Sequence, residues 1–183
     1  MPTNNSLQIV GRNASATVIL NYASSAGSIP VTGKYTHVLA SWNLATTVTQ
    51  MYINDTTDAA AVSTATDDNI DYTQTAHAVG AYVNAINFLT GRISELWFNP
   101  TYLDISVEAN RRKFISPSGS PVNLGATGSL PTGTAPLIYM PGAVVGQNLG
   151  TGGDFAAVGA PKVVTGPAGS SGDLMMIPMS RGF

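Results

Sequence analysis

The chain has 183 residues, with 8 Lys and Arg against 10 Asp and Glu, no cysteine, and 19 Gly plus 11 Pro. That is one domain's length, enough to bury about two thirds of the unfolded surface without a staple, and the missing cysteine excludes disulfide scaffolds and zinc–thiolate sites. A formal net charge of -2 and a charged fraction of 10%, against roughly 25% in an average domain, exclude a basic surface for nucleic acid or anionic lipid.

Thr, Ser and Asn replace the missing charge, at 20, 16 and 13 copies, while Lys and Glu number only 3 and 2. A helical protein covers its outer faces with Glu, Lys, Arg and Gln, whereas Thr, Ser and Asn suit strands, turns and loops. The composition therefore predicts an all-β protein. Residues 1–7 have neither the basic start nor the apolar run of a signal peptide. Apolar stretches such as 17–20 and 174–179 are far shorter than the roughly 20 residues of a membrane helix. The expectation is a soluble protein made in the cytoplasm, for which the glycosylation-type triplets at Asn4, Asn13 and Asn54 are chance matches.

In chain order, short alternating runs bounded by Gly, Asn, Asp and Ser read as antiparallel strands at 7–10, 16–22, 36–43 and 48–54. The third places Val38, Ala40 and Trp42 on one face and Leu39 and Ser41 on the other. The fourth turns at Asn54-Asp55. Further strands are expected at 78–83 and 91–99. The latter is the most apolar and reads as a central strand, with Ile93 and Trp97 on one side and Leu96 and Phe98 on the other. Glu95 within it then needs a partner or a wet pocket.

One helix is expected, at 104–115, with Asp104 or Ser106 as N-cap, Glu108 in the first turn and Arg111, Arg112 and Lys113 near the end. Ser116-Pro117 stops it. With Arg92, this region holds four of the eight basic residues, the pattern of a solvated helix end. Beyond Pro117 the composition turns to Gly, Pro and small residues, with strands expected at 137–140 and 155–158. The tail carries Leu174, Met175, Met176, Ile177, Met179 and Phe183. It is too apolar to hang free and is expected to dock on its own domain or on a neighbouring subunit.

Three pieces occur together in a recognisable order. They are Lys34-Tyr35-Thr36-His37-Val38-Leu39-Ala40-Ser41-Trp42-Asn43, then Met51-Tyr52-Ile53-Asn54-Asp55, then Val79-Gly80-Ala81 leading to Phe88-Leu89-Thr90-Gly91-Arg92-Ile93-Ser94-Glu95-Leu96-Trp97-Phe98. This series resembles the concanavalin A-like, laminin-G-type jelly roll over about 28–115. The resemblance implies one domain over 1–183, a β-sandwich of two antiparallel sheets with one short helix near 104–115. Residues 117–183 would complete or extend the sandwich. The family's hairpin usually turns on Asn-Gly, and Asn54-Asp55 is a tolerable change because Asp can adopt a positive φ. A second likeness is carried by Pro136-Leu137-Ile138-Tyr139-Met140 and by Asn148-Leu149-Gly150-Thr151-Gly152-Gly153-Asp154-Phe155. These resemble segments of laminin-G-like modules in phage structural proteins, and imply a virion component.

Relatives that cleave β-glucans carry a Glu-x-Asp-x-Glu strand, and here the corresponding strand offers only Glu95, with Glu108 on the expected helix. No Gly-x-Ser-x-Gly elbow accompanies His37 or His77, and neither histidine has metal-type spacing. His37 reads as a hydrogen-bonded structural histidine and His77 as exposed. The acidic run Asp67-Asp68-Asn69-Ile70-Asp71 makes Asp67, Asp68 and Asp71 the calcium candidates, as hard oxygen ligands at close spacing. Sugar binding needs an aromatic platform beside amides. Tyr72, Tyr82, Tyr102 and Trp97 are its candidates, narrowed to Tyr82 and Tyr102 near Asn84, Asn87 and Asn99 once periodicity puts Trp42 and Trp97 in the core.

The leading expectation is a non-enzymatic phage structural protein, decorating the capsid or sitting on the tail. It would be a homo-oligomer, a trimer by analogy with virus symmetry, that contacts the capsid shell and neither nucleic acid nor membrane. The alternatives are a carbohydrate-binding module or virion adhesin for a host glycan, and a glycan hydrolase that the carboxylate count nearly removes.

Overall fold

The computed structural model describes residues 5–29, 33–58, 61–73, 77–80, 89 and 91–167, and for 61 and 174–177 the backbone alone. Among them are eleven strands: β1 (Gln8–Arg12), β2 (Val18–Ala23), β3 (Val38–Asn43), β4 (Val48–Ile53), β5 (Thr56–Thr57), β6 (Ala61–Ala65), β7 (Gly91–Ile93), β8 (Leu96–Phe98), β9 (Ile138–Met140), β10 (Lys162–Val164) and β11 (Leu174–Ile177). Every pairing of these strands is antiparallel. Among the described residues helix is confined to α1 (Glu108–Arg111) and a 3-10 turn at Leu44–Thr46. The chain is all-β, as its Thr-, Ser- and Asn-rich composition requires, and it divides into two compact units, 1–74 with 102–111 and 75–101 with 112–183.

The first unit holds two three-stranded sheets, ordered β1-β2-β6 and β3-β4-β5. They share one core. Ile19, Leu20 and Tyr22 come from β2, Met51 and Ile53 from β4, and Leu44 from the 3-10 turn. Val38, Ala40 and Trp42 pack against this cluster, on the face that their two-residue period assigns to them. Tyr22 and Trp42 meet edge-on at 6.4 Å, a favourable arrangement for aromatic quadrupoles. The β4–β5 hairpin closes through Asn54 and Asp55, both at positive φ (49° and 65°), the geometry whose twist matches antiparallel strands. Asn54 then locks the neighbouring strand, its side chain accepting from the His37 N–H at 2.9 Å while its own N–H donates to the His37 carbonyl at 2.8 Å.

Ser24 fastens the start of β1 in the same way. Only 5% exposed, it accepts the Leu7 N–H at 2.8 Å and the Ser28 hydroxyl at 2.7 Å. Ser24→Ala leaves the part-buried Leu7 N–H unmatched and is expected to cost about 1–2 kcal/mol. A urea midpoint unchanged from the parent protein would show that water replaces the hydroxyl.

The expected helix at 104–115 is corrected to the single turn of α1. Its first residues are diverted into a local turn, in which Asp104 Oδ1 accepts both the N–H and the hydroxyl of Ser106, at 2.9 and 2.6 Å. The Asn110 amide donates to the Asp104 carbonyl at 2.8 Å. Short polar side chains of this kind compete with the helical hydrogen-bond ladder. Residues 112–114 are turns, and Ile115 bridges to Pro121.

The second unit holds β8-β9 and β10-β11-β7, and it corrects the central strand expected at 91–99. Glu95 adopts φ 53°, and a left-handed residue breaks the alternation on which a continuous strand depends. The two halves accordingly enter different sheets, β7 as an edge strand and β8 beside β9. Leu96, Trp97 and Phe98 are half-buried rather than enclosed on two sides. Trp97 is still well anchored, donating through Nε1 to the Gly128 carbonyl at 2.9 Å and meeting Phe114 edge-on at 5.0 Å.

No strand forms at 155–158. The Phe155 N–H is spent on the Gly146 carbonyl at 2.8 Å, and the strand lies later, at β10. The strand expected at 137–140 forms as β9. Of the strand expected at 78–83, residues 78–80 are irregular and 81–83 lie outside the described residues.

Candidate functional site

The densest gathering of polar chemistry lies on β4 and the segment 102–111. Met51 and Ile53 are the core positions of β4, so the strand's two-residue period turns Gln50 and Tyr52 to its other face. That face is held by 102–111. The Gln50 side chain accepts the Ile105 N–H at 3.0 Å and donates to Asp104 Oδ1 at 2.9 Å, and the Ser41 hydroxyl donates to the Leu103 carbonyl at 2.5 Å. Ile105 is thereby only 3% exposed. Bonds from Ser106 and Gln50 hold the Asp104 carboxyl below its ordinary value.

Arg111 closes the far end. Its Nε donates to Asp55 Oδ1 at 2.9 Å, its Nη1 donates to the carbonyls of Ile105 and Ser106 at 2.8 and 2.9 Å, and its guanidinium lies 4.3 Å from the Tyr52 ring centre. The pair is shielded, at 13% and 22% side-chain exposure. A planar, five-donor fork over an aromatic face suits Arg and not Lys. What this arrangement does is hold a strap against a sheet, because each charge is committed to a neighbour within the fold.

His37 joins the site through Asp55. Its Nδ1 is buried without a hydrogen-bond partner, which corrects the expectation of a bonded histidine. Burial pushes the imidazole pKa below 6.5, and the nearby Asp55 carboxylate opposes that shift. The folded state therefore prefers the neutral ring. Stability from this residue is complete above pH 6.5, declines as pH falls from 6.5 to the lowered folded value, and is level below it. His37→Gln is expected to flatten the dependence of melting temperature on pH between about 7.5 and 5. An identical slope in the variant would assign the acid sensitivity elsewhere.

The other sequence candidates fall apart in space or into turns. Asp68 accepts from the Asn13 amide and the Asn69 N–H, at 2.8 and 2.7 Å, and Asp71 from the N–H and hydroxyl of Thr73 at 2.9 and 2.6 Å. Asp67, Asp68 and Asp71 do not converge, and among the described residues no three His, Cys, Asp or Glu gather as a metal site. Asn13 also takes the N–H groups of Ser15 and Thr17 on its Oδ1, so its triplet serves a turn. His77 is exposed, while Glu95 is half-buried. Tyr102 is 37% exposed and Tyr72 36%. Tyr82, Asn84 and Asn87 lie outside the described residues, as do Met179 and Phe183. The tail residues Leu174, Met175, Met176 and Ile177 form β11, which pairs with β10 and β7 of its own chain.

A second polar centre, which no spacing in the sequence announces, is built around one buried asparagine. Asn148, 8% exposed, accepts the N–H groups of Tyr139 and Gly150 on Oδ1 at 2.8 and 3.0 Å. Its amide donates to the carbonyls of Leu137 and Gly153 at 3.1 and 3.4 Å, and its own N–H donates to Asp154 Oδ1 at 2.8 Å. The Asn-Leu-Gly-Thr-Gly-Gly-Asp run is thus a clamp that fastens a glycine loop to β9. Among the described residues no helix is long and apolar enough to cross a membrane. Comparison with protein-family models, with curated proteins and with solved structures finds no match for this chain.

Proposed function

We propose that this chain is a non-enzymatic structural protein of a phage virion. In this reading it is a concanavalin A-like, laminin-G-type jelly roll that decorates the capsid, or sits on the tail, in many symmetric copies and assembles by protein–protein contacts. The observation that carries the reading is the use made of its charges. Asp55, Asp58, Asp68, Asp71, Asp104 and Asp154 each accept a hydrogen bond from a turn, a loop or Arg111. They are consumed in holding irregular backbone, the requirement of a rigid, weakly charged building block. Such a surface presents little desolvation penalty to a neighbour, and apolar residues supply the contact energy. The tail residues Leu174 to Ile177, with Met179 and Phe183, are the proposed subunit contacts, and a closed ring such as a trimer would multiply weak contacts to the shell by avidity.

The test is a count of copies of this chain in purified particles of the phage that encodes it, by quantitative mass spectrometry. Hundreds per particle identify a decoration protein and a handful a tail part, while complete absence overturns the reading. A second reading, recognition of a host glycan, draws on the exposed Tyr102 ring beside Asp104 and Gln50. Glycan binding that is lost in Tyr102→Ala or Tyr82→Ala, with particle association intact, would favour it.

A further inference from the structure

The position of β11 in its sheet is unusual for the last described strand of a chain. It lies in the middle, with Val163↔Met175 pairing on one side and Met175↔Ile93 on the other. Among the described residues neither β7 nor β10 pairs with any other strand, so this sheet exists only through β11. Its sequence, Leu-Met-Met-Ile, has no polar position, the pattern of a strand covered on both faces. Its flanks are open nonetheless. Lys162, Val163, Gly91 and Arg92 are exposed, and an apolar hollow lined by Val79, Ile93, Leu96, Met140 and Val144 adjoins β7.

The connection carries the second half of the case. Antiparallel neighbours need about two to five linking residues, but β10 and β11 are separated by nine, 165–173, which read Thr-Gly-Pro-Ala-Gly-Ser-Ser-Gly-Asp. Nine residues can span about 30 Å when extended. That is more than a hairpin needs, and it is enough to reach a neighbouring copy.

We propose that β11 is exchanged between copies of this chain, Leu174–Ile177 of one copy seating between β10 and β7 of another. The same backbone pairings are made in trans, and the nine-residue connection becomes the bridge between two copies. Exchange presupposes several copies held together, and so rests on the assembly reading above.

The absence of cysteine makes the test clean. Opposed residues in an antiparallel pair have Cα atoms about 4.5–5.5 Å apart, within disulfide range. One copy carrying only Ile93→Cys is co-expressed with a differently tagged full-length copy carrying only Met175→Cys, and the double variant serves as the control for register. Exchange predicts a covalent dimer containing both tags, and a covalently closed oligomer from the double variant. A double variant that cross-links only within single chains overturns the proposal. So does a failure of both experiments to cross-link, since the pairing itself would then be absent. Oligomers or particle association without a trans cross-link would reject exchange and leave assembly standing. A trans cross-link in a protein absent from particles would keep exchange between copies and reject only the virion reading.

Discussion

Asn148→Ala is expected to lower the stability of the second unit by roughly 3–5 kcal/mol, a large share of the 5–15 kcal/mol that holds a typical domain. The loss has a definite source. Tyr139 is 1% exposed, and its N–H would be left in a dry setting with its acceptor removed, while the carbonyl of Leu137 would lose the Asn148 amide and keep only the Gly152 N–H. Only a side chain with an acceptor and a donor in one plane serves both. Asn148→Asp keeps the acceptor but loses the donor, and places a second carboxylate beside Asp154, so it is expected to recover only a minority of the loss. The glycines offer an independent check. A Cβ at Gly150 would lie 2.6 Å from the Pro136 carbonyl oxygen, and Gly146, at φ +78°, faces the Phe155 carbonyl, so Gly150→Ala and Gly146→Ala should fail in the same unit. Urea denaturation followed by Trp97 fluorescence, in a Trp42→Phe background that silences the first unit, reads this unit. A midpoint for Asn148→Ala within about 0.5 kcal/mol of the parent would show that the clamp is dispensable.

The Asn148 clamp also shows which parts of this protein are legible in its sequence. Alternation made β1 to β4 legible, as in β3 from Val38 to Trp42, whereas β5 and β6, built of Thr, Ser, Ala and one Val, carry no alternating apolar signal and are not foreseen. The Asn54-Asp55 turn was legible for a similarly local reason, since few residues tolerate positive φ. Glu95 was not, because nothing about glutamate announces a left-handed backbone, and a single such residue splits an apparently continuous run into β7 and β8. The helix at 104–115 was overextended for a related reason. Asp104, Ser106 and Asn110 are as good at closing turns as at capping helices, and which they do depends on β4 arriving beside them with Gln50. The glycine-rich run before Phe155 drew notice as a likeness to other proteins, whereas its hydrogen bonds are a folding requirement of β9. Sites built from partners 50 or more residues apart, such as Gln50 with Asp104 and Asp55 with Arg111, leave no periodic trace.

Arg111→Ala is expected to cost about 3 kcal/mol, and Arg111→Lys most of that despite keeping the charge. The expectation lies between two limits, about 0–1 kcal/mol for an exposed ion pair and 3–5 kcal/mol for breaking a buried one, because Arg111 and Asp55 retain 13% and 22% exposure. Three acceptors depend on the one guanidinium, the Asp55 carboxylate and the carbonyls of Ile105 and Ser106. A lysine ammonium can reach one of them well, but it cannot also lie flat over Tyr52. A double-mutant cycle with Asp55→Asn should therefore return a coupling of about 1–2 kcal/mol, smaller than the single loss, because the two carbonyls are unaffected by the Asp55 change. Hydrogen exchange separates a local from a global effect. If Arg111 pins the strap, the amides of Ile105 and Ser106 lose protection before those of Leu20 and Tyr22 in the core of the same unit. Equal protection throughout, or a stability loss below about 0.5 kcal/mol, would mean that Gln50 and Ser41 hold the strap without it. The distinction bears on the first unit's surface, since a strap that opens uncovers the face of β4 that carries Tyr52.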